Sequence, residues 1–495
     1  MIRTTSGRSA PSVATSQVAP GVRLEPLPEV AAARPIDVAE SFRELPGLVL
    51  LESARPGRNA RWSFLTADPI AVLTSPAPGA DPFAVARRLV TRLDGRQSGV
   101  DDAPPFLGGL VGYLGYDVGH AFERLPELSP DDQGLPVLRL ALHDWVIAWD
   151  RRTKRAWLGG RAVDGDSRRL DRRLLEVRER VRRAAGRTAA SVPSVRSSAA
   201  DGTAARELVF RSNLDRTAYE AGVEAIRAEI ARGEIYQANL TRRLETAFDG
   251  DPWPLYRRLR TGDPSLFSAY LDLGRVRATD PGGPRAILSA SPEPVLAVDA
   301  AGTVKADPIK GTRGRGRTRD EDRALACELL ASDKDRAENV MIVDVLRNDL
   351  GRVCVPGSVR VPRLCRLERT AAVQHLVSTV TGRLASGRDA FDLLAASFPG
   401  GSITGAPKIR AMEILERLEP LRRGPYTGAL GWIGPDGAMA TSILIRTFVA
   451  DGRRLTLHVG GGITYRSDPP AEWDETVAKA RGPLSAVGGR EAPDE

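Results

Sequence analysis

Long apolar runs, cysteines and histidines are all scarce in this 495-residue sequence. No apolar run reaches the roughly 18 residues that a membrane-spanning helix needs, so we expect no membrane segment. Residues 1–20 lack the apolar core of a secretory signal and are expected to form a disordered tail. The three cysteines, Cys327, Cys354 and Cys365, fit no metal-ligand spacing and indicate reduced thiols of a cytoplasmic protein. The four scattered histidines leave carboxylates to hold any divalent ion, which favours Mg²⁺.

Aromatic residues are also few, at 5% of the chain, although the net charge is +8. The arginines are interleaved with acidic residues, as in Arg319–Arg323, and form no basic stripe with stacking aromatics. This pattern argues against a nucleic-acid-binding protein. A positive field would instead favour a small acidic substrate.

Lysine accounts for only six of the 71 lysine and arginine residues. Arginine occupies nearly every position where any positive charge would serve, so a retained lysine suggests a role that needs an amine. An amine can lose its proton and attack an electrophile, which a guanidinium cannot do. Lys310, in the segment Asp307–Thr312, is either such a nucleophile or a loop residue that binds an anion.

The chain divides into two regions separated by a stretch rich in Ser, Ala and Thr. We expect an N-terminal region over 21–184, a linker over 185–206, a larger region over 207–486 and a tail over 487–495. The absence of regular βαβ alternation predicts an α/β fold with many antiparallel strands. The predicted strands are Leu48–Leu51, Leu138–Leu142, Ala286–Ala290, Val295–Val298 and Leu455–Val459, and the predicted helices cover 166–186, Thr217–Gly233 and Ile409–Leu418.

Two further helical patterns carry carboxylates. Glu338 lies near the start of a helix over Asp335–Asp349, where an acidic residue also simply favours the helix dipole. The residues expected to pack inward from this helix are Val340, Met341, Val343 and Leu346. Glu472, Glu475 and Lys479 share one helix face, which is either a solvated salt-bridge face or a pair of carboxylates facing a cavity. Glu338 and Glu475 together could hold one Mg²⁺ with room for water and a substrate carboxylate.

Three segments are suited to holding an anion. Gly400–Lys408 precedes a helix, and its backbone N–H groups and hydroxyls can hold a carboxylate there. Arg446, a lone charge in an apolar strand, is expected to be buried and to need an anionic partner. Gly460–Gly462 offers close backbone approach and free N–H donors. Together these features predict a small dianionic substrate, with Lys310 as nucleophile and Glu293 as a candidate acid/base partner.

Taken in order, these segments resemble the chorismate-utilising enzymes over about Arg211–Leu484, and three segments of the N-terminal half are similar to the same enzymes. The similar segments are Leu50–Ser53, Arg61–Phe64, Gly108–Asp117, Pro308–Thr312, Arg336–Asn339, Arg347–Asp349, Gly400–Lys408, Ile445–Thr447 and Gly460–Ile463. The chain is most similar to the aminodeoxychorismate synthases of the 4-aminobenzoate and folate pathway. That similarity depends on Lys310, because the anthranilate synthases have alanine at this position. The resemblance implies a large intertwined sandwich of mostly antiparallel sheets covered by helices.

The resemblance also implies a reaction, in which chorismate and ammonia give 4-amino-4-deoxychorismate. The lysine amine would attack C2 of chorismate and expel the C4 hydroxyl, and ammonia would then add at C4 and release the lysine. The implied residues are Lys310, Glu293 and His375 for catalysis, Ser402, Thr404, Arg446, Gly461, Gly462 and Lys479 for the substrate, and Glu338, Glu475 and Glu472 for Mg²⁺. The other interpretation of His375 is a packed core histidine.

Ammonia would come from a separate class I glutamine amidotransferase subunit, because no Cys-His-Glu glutaminase set can be assembled here. The family also has a tryptophan pocket, whose counterparts in this chain are Ser53, Arg61, Leu266, Phe267 and Ser268. Leu266–Ser268 replaces a more typical Pro-x-Ser, and Trp432 replaces a usual tyrosine elsewhere, so the binding of tryptophan stays open.

Three alternatives remain. An anthranilate synthase or an aminodeoxyisochorismate synthase would use the same substrate and give another product. An inactive regulatory homologue is the third alternative, and the presence together of Glu293, Lys310, Glu338 and Glu475 argues against it.

Overall fold

The computed structural model describes residues 19–57, 60–75, 79–190, 207–275, 282–370 and 373–493. The predicted tail over 1–20 lies outside the described residues up to residue 18, and the predicted linker lies outside them from residue 191 onward. No helix in the described ranges combines the length and apolarity that a membrane crossing requires.

The structure is rich in strands. They are β1 (Val22–Pro26), β2 (Val49–Glu52), β3 (Trp62–Thr66), β4 (Ala71–Thr74), β5 (Gly109–Leu114), β6 (Leu138–His143), β7 (Trp145–Asp150), β8 (Arg155–Arg161), β9 (Leu208–Ser212), β10 (Gln237–Ala247), β11 (Phe267–Gly274), β12 (Arg285–Ser291), β13 (Pro294–Val298), β14 (Thr303–Ala306), β15 (Ile309–Gly314), β16 (Arg360–Arg369), β17 (Val373–Arg383), β18 (Gly405–Ala406), β19 (Ala429–Ile433), β20 (Met439–Ile443), β21 (Thr447–Ala450), β22 (Arg454–Ile463) and β23 (Gly489–Glu491).

The helices lie between these strands. They are α1 (Pro35–Ala39), α2 (Ala84–Val90), α3 (Ser167–Ala190), α4 (Arg216–Ala231), α5 (Trp253–Gly262), α6 (Arg319–Ala331), α7 (Asp333–Gly351), α8 (Ala390–Ser397), α9 (Gly401–Thr404), α10 (Lys408–Leu418) and α11 (Pro469–Val487), with short 3₁₀ turns at Pro28–Val30, Glu40–Phe42 and Tyr116–Ala121.

Two large sheets contain these strands. The first has the order β1-β8-β7-β3-β2-β11-β12-β21-β22-β10-β9-β23, with β18 paired to β10. The second has the order β15-β17-β14-β13-β20-β19-β5-β6-β4, with β16 paired to β17. The N-terminal strands enter both sheets, since β2 pairs antiparallel with β11 and β5 pairs antiparallel with β19. The predicted intertwined arrangement of mostly antiparallel sheets is therefore confirmed.

The sheets pack face to face around a shared apolar layer. Val49 and Phe64 of the first sheet meet Leu430 and Trp432 of the second, and the rings of Phe64 and Trp432 lie 6.1 Å apart between centroids. Helices cover the outer faces. Helices α3, α5 and α11 pack on the first sheet, and α2, α7 and α8 pack on the second. Strands enclosed on both sides, such as β6 and β7, are buried along their whole length.

Most predicted elements are present with small shifts of their ends, but three expectations are wrong. Helix α3 continues to Ala190, so residues 185–190 of the predicted linker are helical. The predicted tail over 487–495 contains β23, which pairs in parallel with β9 and so belongs to the first sheet. Val340 does not pack inward. It is 38% exposed, whereas Asn339 and Ile342 are the buried residues on that part of α7.

Leu288 tests the importance of the central strands, because its side chain on β12 is fully buried. We expect Leu288→Ala to lower the free energy of unfolding by about 2–5 kcal/mol, since it loses apolar burial and leaves a cavity. The same substitution at Leu175, which is 69% exposed on α3, should change stability by less than about 0.5 kcal/mol. Denaturant unfolding of both variants checks the difference, and equal effects would contradict the burial argument.

Candidate active site

Lys310 lies on β15 beside a break in strand register. Lys310 is opposite Leu376 and Thr312 is opposite His375 on β17, so Gly311 forms a bulge. Gly311 has φ +71°, and a Cβ there would lie 2.9 Å from the Cβ of Asp335. Only glycine therefore fits the bulge well. Beside it, Lys310 Nζ donates a hydrogen bond to the Ser402 carbonyl over 3.3 Å.

The environment of Lys310 favours its neutral amine. Burial lowers the pKa of Lys310, and this effect exceeds the opposing influence of the nearby Glu338 and Glu293 carboxylates. The positive charge of Lys479 lowers it further. A larger share of Lys310 is therefore unprotonated at neutral pH than for an ordinary lysine, which is the state a nucleophile needs.

Glu293 lies in the connection between β12 and β13, close enough to Lys310 for the two charges to interact. Its Oε1 accepts a hydrogen bond from the Ile309 N–H at 3.4 Å. Burial raises the pKa of Glu293 to about 7, although Lys310 and the Ile309 N–H oppose the shift. A carboxyl group with this pKa can both donate and accept a proton near neutral pH.

His375, on β17, is held by a neighbour on β15. Its Nδ1 lies 3.0 Å from Thr312 Oγ1. Burial lowers the pKa of His375 to about 4, and the charges of Arg55 and Arg446 act in the same direction. The imidazole is therefore neutral at physiological pH and can offer one donor and one acceptor.

The predicted carboxylates come from two helices. Glu338 lies on α7, while Glu472 and Glu475 lie on α11, whose first turn is capped by the Asp468 side chain through Ala471 N–H. Burial raises the pKa of Glu338, against the influence of Lys310 and Lys334. Within the described ranges Glu338 accepts no side-chain hydrogen bond, so the charges of Lys310 and Lys334 act on it without direct contact.

Lys479 links α11 to β22, the strand that contains Gly460–Gly462. Its Nζ pairs with Glu475 Oε1 at 2.7 Å and donates to the Gly460 carbonyl at 2.8 Å. Burial opposes the shift, but Lys479 and other nearby lysines lower the pKa of Glu475. A Cβ on Gly461 would lie 3.0 Å from Glu472 Oε2, so the strand passes directly beside these charged groups.

The structure shows no complete protein-only metal cage. No group of three or more His, Cys, Asp or Glu side chains in the described ranges is arranged to hold a metal ion. A hard cation in this space would thus take only part of its ligands from the chain and would need water or substrate oxygens for the rest.

Ser402 and Thr404 lie in the short helix α9. Ser402 is half-buried and supplies its carbonyl to Lys310, while Thr404 is fully buried and its hydroxyl donates to the Gly400 carbonyl at 3.0 Å. The Thr404 hydroxyl therefore shapes the turn from inside. After it, Gly405 brings β18 onto β10, where a Cβ would lie 2.2 Å from the Gln237 carbonyl oxygen.

Arg446 is not the buried strand residue that the sequence predicts. It has φ +50° between β20 and β21, and its side chain is 44% exposed. Its Nη1 lies 3.7 Å from Asp263 Oδ2. The run Ser442–Thr447 breaks at this point, so the guanidinium is partly exposed and accessible to an anion.

Two residues near the site were missed from the sequence. Gln237 is fully buried, and its Oε1 and Nε2 have no hydrogen-bond partner within the described ranges. Nε2 lies 2.4 Å from where a Cβ of Gly462 would be. Arg55, in the loop after β2, is close enough for its charge to lower the pKa of His375. The segment Ile235–Leu240 has two amide residues, Gln237 and Asn239, among apolar neighbours, and this was the sequence signal for Gln237.

Four of the five predicted tryptophan-pocket residues line one cavity between the sheets. Its volume is about 170 Å³, and Ser53, Leu266, Phe267 and Ser268 contribute to its wall with Trp432. Arg61 does not line it. Its guanidinium lies over the ring of the lining residue Trp62, 4.7 Å from the centroid. The Ser53 and Ser268 hydroxyls already donate to backbone carbonyls, so the cavity is mainly apolar.

Comparisons with known proteins identify the family of the chain. Residues 49–485 match the family model described as chorismate binding enzyme. The chain is 41% identical to anthranilate synthase component 1 of Streptomyces coelicolor, over 90% of this chain and 84% of that protein. It is 39% identical to aminodeoxychorismate synthase component 1 of Salmonella typhimurium, over 85% of this chain and 88% of that protein.

A solved structure shows the same fold. The crystal structure of anthranilate synthase component I from Streptococcus pneumoniae superposes with a TM-score of 0.73 at 29% identity, covering 87% of this chain and 93% of that one. The chain belongs to the chorismate-binding enzyme family and is a chorismate-utilising enzyme.

Glu293 gives the site a measurable dependence of stability on pH. Its pKa is raised to about 7 in the folded protein, so the folded state holds this proton more tightly than the unfolded state. The resulting stabilisation is complete below about pH 4.5 and is lost as the pH rises through 7. We therefore expect wild type to lose stability relative to Glu293→Gln between pH 5 and 8, measured by denaturant unfolding.

The control for removing a carboxylate is Glu44→Gln, at a position where the side chain is 90% exposed. Its stability should follow that of wild type at each pH. Parallel curves for Glu293→Gln and wild type would contradict a raised pKa at Glu293.

Proposed function

We propose that this chain is the synthase subunit that converts chorismate and ammonia to 4-amino-4-deoxychorismate through a covalent lysine intermediate. The observation that carries the proposal is the half-buried Lys310 amine, which donates to the Ser402 carbonyl and whose pKa is lowered beside the Glu293 carboxyl group. The family relatives include aminodeoxychorismate synthase component 1, which supports the same assignment.

Two substitutions make up the reaction. The unprotonated Lys310 amine forms a bond to C2 of chorismate, the ring double bonds shift, and the C4–oxygen bond breaks. Glu293 donates its proton to the departing C4 hydroxyl, which leaves as water. Ammonia then forms a bond to C4, the C2–nitrogen bond breaks with the reverse shift, and the lysine leaves as a free amine. The ammonium formed at C4 gives a proton back to the Glu293 carboxylate, which restores the acid for the next turnover. Splitting one difficult exchange into two steps lowers the barrier to each.

The remaining catalytic role is assigned to His375. The Thr312 hydroxyl orients its neutral ring, which lies on the strand paired with Lys310. A neutral imidazole at this place can hydrogen-bond the substrate without adding a positive charge that would compete with Lys310.

The substrate carboxylates are assigned to the anion-holding segments. Backbone N–H groups come from an anion cradle, which is formed by Ser402, Thr404, Gly461 and Gly462. Positive charge comes from Arg446 and Lys479. The exposed Arg446 can pair with an incoming carboxylate because its contact with Asp263, at 3.7 Å, is loose.

Mg²⁺ is the proposed cofactor, held by Glu338 and Glu475 with Glu472 beside them. The raised pKa of Glu338 fits this role, because a divalent cation stabilises the charged form of a partly desolvated carboxylate. The ion would neutralise a substrate carboxylate, and the chain itself would supply only part of its oxygen ligands.

The proposed ammonia source is a class I glutamine amidotransferase subunit in the cytoplasm. The relatives bear the name component 1, which is consistent with a second component. The cysteines do not suggest a glutaminase nucleophile here, because Cys354 and Cys365 are buried and Cys327 lies exposed on α6.

Anthranilate synthase is the second candidate, because relatives of that name match at similar identity. The product separates the two candidates. The apolar cavity beside Ser53 remains the proposed tryptophan site for either of them, with its indole contacts supplied by Leu266, Phe267 and Trp432.

Lys310→Ala tests the covalent route. Incubation of wild type with chorismate and Mg²⁺ without ammonia should give a covalent adduct by intact-mass analysis, and Lys310→Ala should give none. Turnover to 4-amino-4-deoxychorismate should fall by about 100-fold or more, because the nucleophile is lost. Lys305→Ala is the matched control, since Lys305 lies on β14, next along the same edge of β17, and its amine is held in an ion pair with Asp307. Full activity of Lys310→Ala, or anthranilate as the wild-type product, would refute the proposal.

Glu338→Gln tests the magnesium site. We expect it to raise the Mg²⁺ concentration for half-maximal activity by at least about tenfold, because the amide is a neutral and weaker ligand. Chelation with EDTA should abolish wild-type activity. Glu413→Gln, which removes a surface carboxylate paired with Arg410, should keep the wild-type Mg²⁺ dependence. An unchanged Mg²⁺ dependence in Glu338→Gln would exclude this ligand.

A further inference from the structure

Arg423 is a buried arginine with an unusually complete set of partners. Its side chain is only 2% exposed. Nη1 donates to the Ile403 carbonyl at 2.9 Å and to Thr427 Oγ1 at 3.3 Å. Nη2 donates to the Asn239 carbonyl at 2.6 Å, and Nε and Nη2 both bond the Glu419 carboxylate at 2.7 Å. One planar group thus fixes two backbone carbonyls from distant parts of the chain.

One carbonyl lies in the Ser402–Thr404 turn, and the other lies on β10, the strand paired with the Gly460–Gly462 segment. Ile403 stands between Ser402 and Thr404, and the Ser402 carbonyl accepts the hydrogen bond from Lys310. Asn239, on β10, is opposite Gly462 in the register with β22. Arg423 therefore sets the distance between the turn that contacts the nucleophile and the strand that carries the glycines.

Glu419, the counter-ion of Arg423, makes a second contact with β10. Glu419 Oε1 accepts from the Thr241 N–H at 3.0 Å and from its hydroxyl at 2.8 Å. Thr241 is opposite Gly460, whose carbonyl accepts the hydrogen bond from Lys479. The ion pair is thus linked to Lys310 through the neighbouring residues Ile403 and Ser402. It is linked to Lys479 through the strand pairing of Thr241 with Gly460.

Residues of the N-terminal region contact Arg423 and the residue that follows it. The Arg423 guanidinium lies 4.5 Å from the ring centroid of Tyr116. Asp117 accepts a hydrogen bond from the Gly424 N–H at 2.9 Å, and the Tyr116 N–H donates to the Gly424 carbonyl at 2.8 Å. These contacts hold the backbone on the C-terminal side of Arg423, so the guanidinium has little freedom to move.

We propose that Arg423 is a positioning residue of the active site, which holds the Ser402–Thr404 turn and the Gly460–Gly462 strand in register with Lys310. The inference rests on the proposed function in assigning Lys310 and the cradle to catalysis. A lysine could not replace Arg423, because a single ammonium cannot reach both carbonyls and the carboxylate in the fixed geometry of a guanidinium. Small displacements of reacting groups reduce turnover strongly, so the loss should be seen mainly in kcat.

Arg161 provides a matched control. It is equally buried, donates to the carbonyls of Asp94 and Arg96, and pairs with Asp436 at 2.9 Å. None of these partners belongs to the candidate site. Both Arg423→Lys and Arg161→Lys should lower the thermal midpoint of unfolding, since each disturbs a buried network.

Only Arg423→Lys should lose catalysis. We expect its kcat for chorismate consumption to fall by about 100-fold with a smaller rise in KM, and its rate of Lys310 adduct formation to fall in parallel. Arg161→Lys should keep kcat/KM within about twofold. If Arg423→Lys does not fold, the double variant Arg423→Met/Glu419→Gln removes both charges together and should show the same loss of kcat.

The outcomes distinguish this inference from the proposed function. Wild-type activity in a folded Arg423 variant, or an equal loss of kcat in Arg161→Lys, would overturn the positioning role. If wild type instead forms anthranilate and no adduct, the proposed function fails. The kcat comparison between the two arginine variants still decides whether Arg423 positions the cradle.

Discussion

The burial of the Lys310 amine among carboxylates is the interaction on which the candidate site depends. Removing an ammonium from water is costly, and here it lowers the pKa of Lys310, while the same burial raises the pKa of Glu293 to about 7. Each group thus moves toward its neutral form. A neutral amine beside a protonated carboxyl group is the state in which a nucleophile can attack and a leaving group can receive a proton. This pairing requires that β15, the β12–β13 connection and α9 meet, which only the complete fold achieves.

Sequence patterns predicted the local part of this arrangement well. The spacing of Glu472, Glu475 and Lys479 indicated one helix face, and α11 places them together beside Gly461. Spacing along one helix is a property of the helix alone, so it can be read from the sequence. Arg446 shows where this reasoning fails. A strand-like apolar run contains a break with positive φ, which no periodicity reveals, and the side chain is exposed as a result.

Contacts between distant segments could not be predicted in the same way. Gln237 lies beside Gly462, and the charge of Arg55 acts on His375. These residues are far apart in sequence and come together only in the folded sheets. The linker composition suggested two regions, yet β2 pairs with β11 and β5 pairs with β19. The N-terminal region is therefore part of the framework of the site. The proposed roles of several site residues come from the family resemblance, because the residues next to them in the sequence do not indicate those roles.

The lysines of this chain also show why scarcity alone is a weak guide to chemistry. Lys305, Lys408 and Lys479 each have a carboxylate oxygen at 2.5–2.9 Å, so each is held in an ion pair. Within the described ranges, Lys310 forms no such pair, and its one hydrogen bond goes to a neutral carbonyl. An ion pair would stabilise the charged ammonium and raise its pKa. Lys310 is half-buried and lacks this stabilisation within the described ranges, and its pKa is lowered, which agrees with its proposed role as the nucleophile.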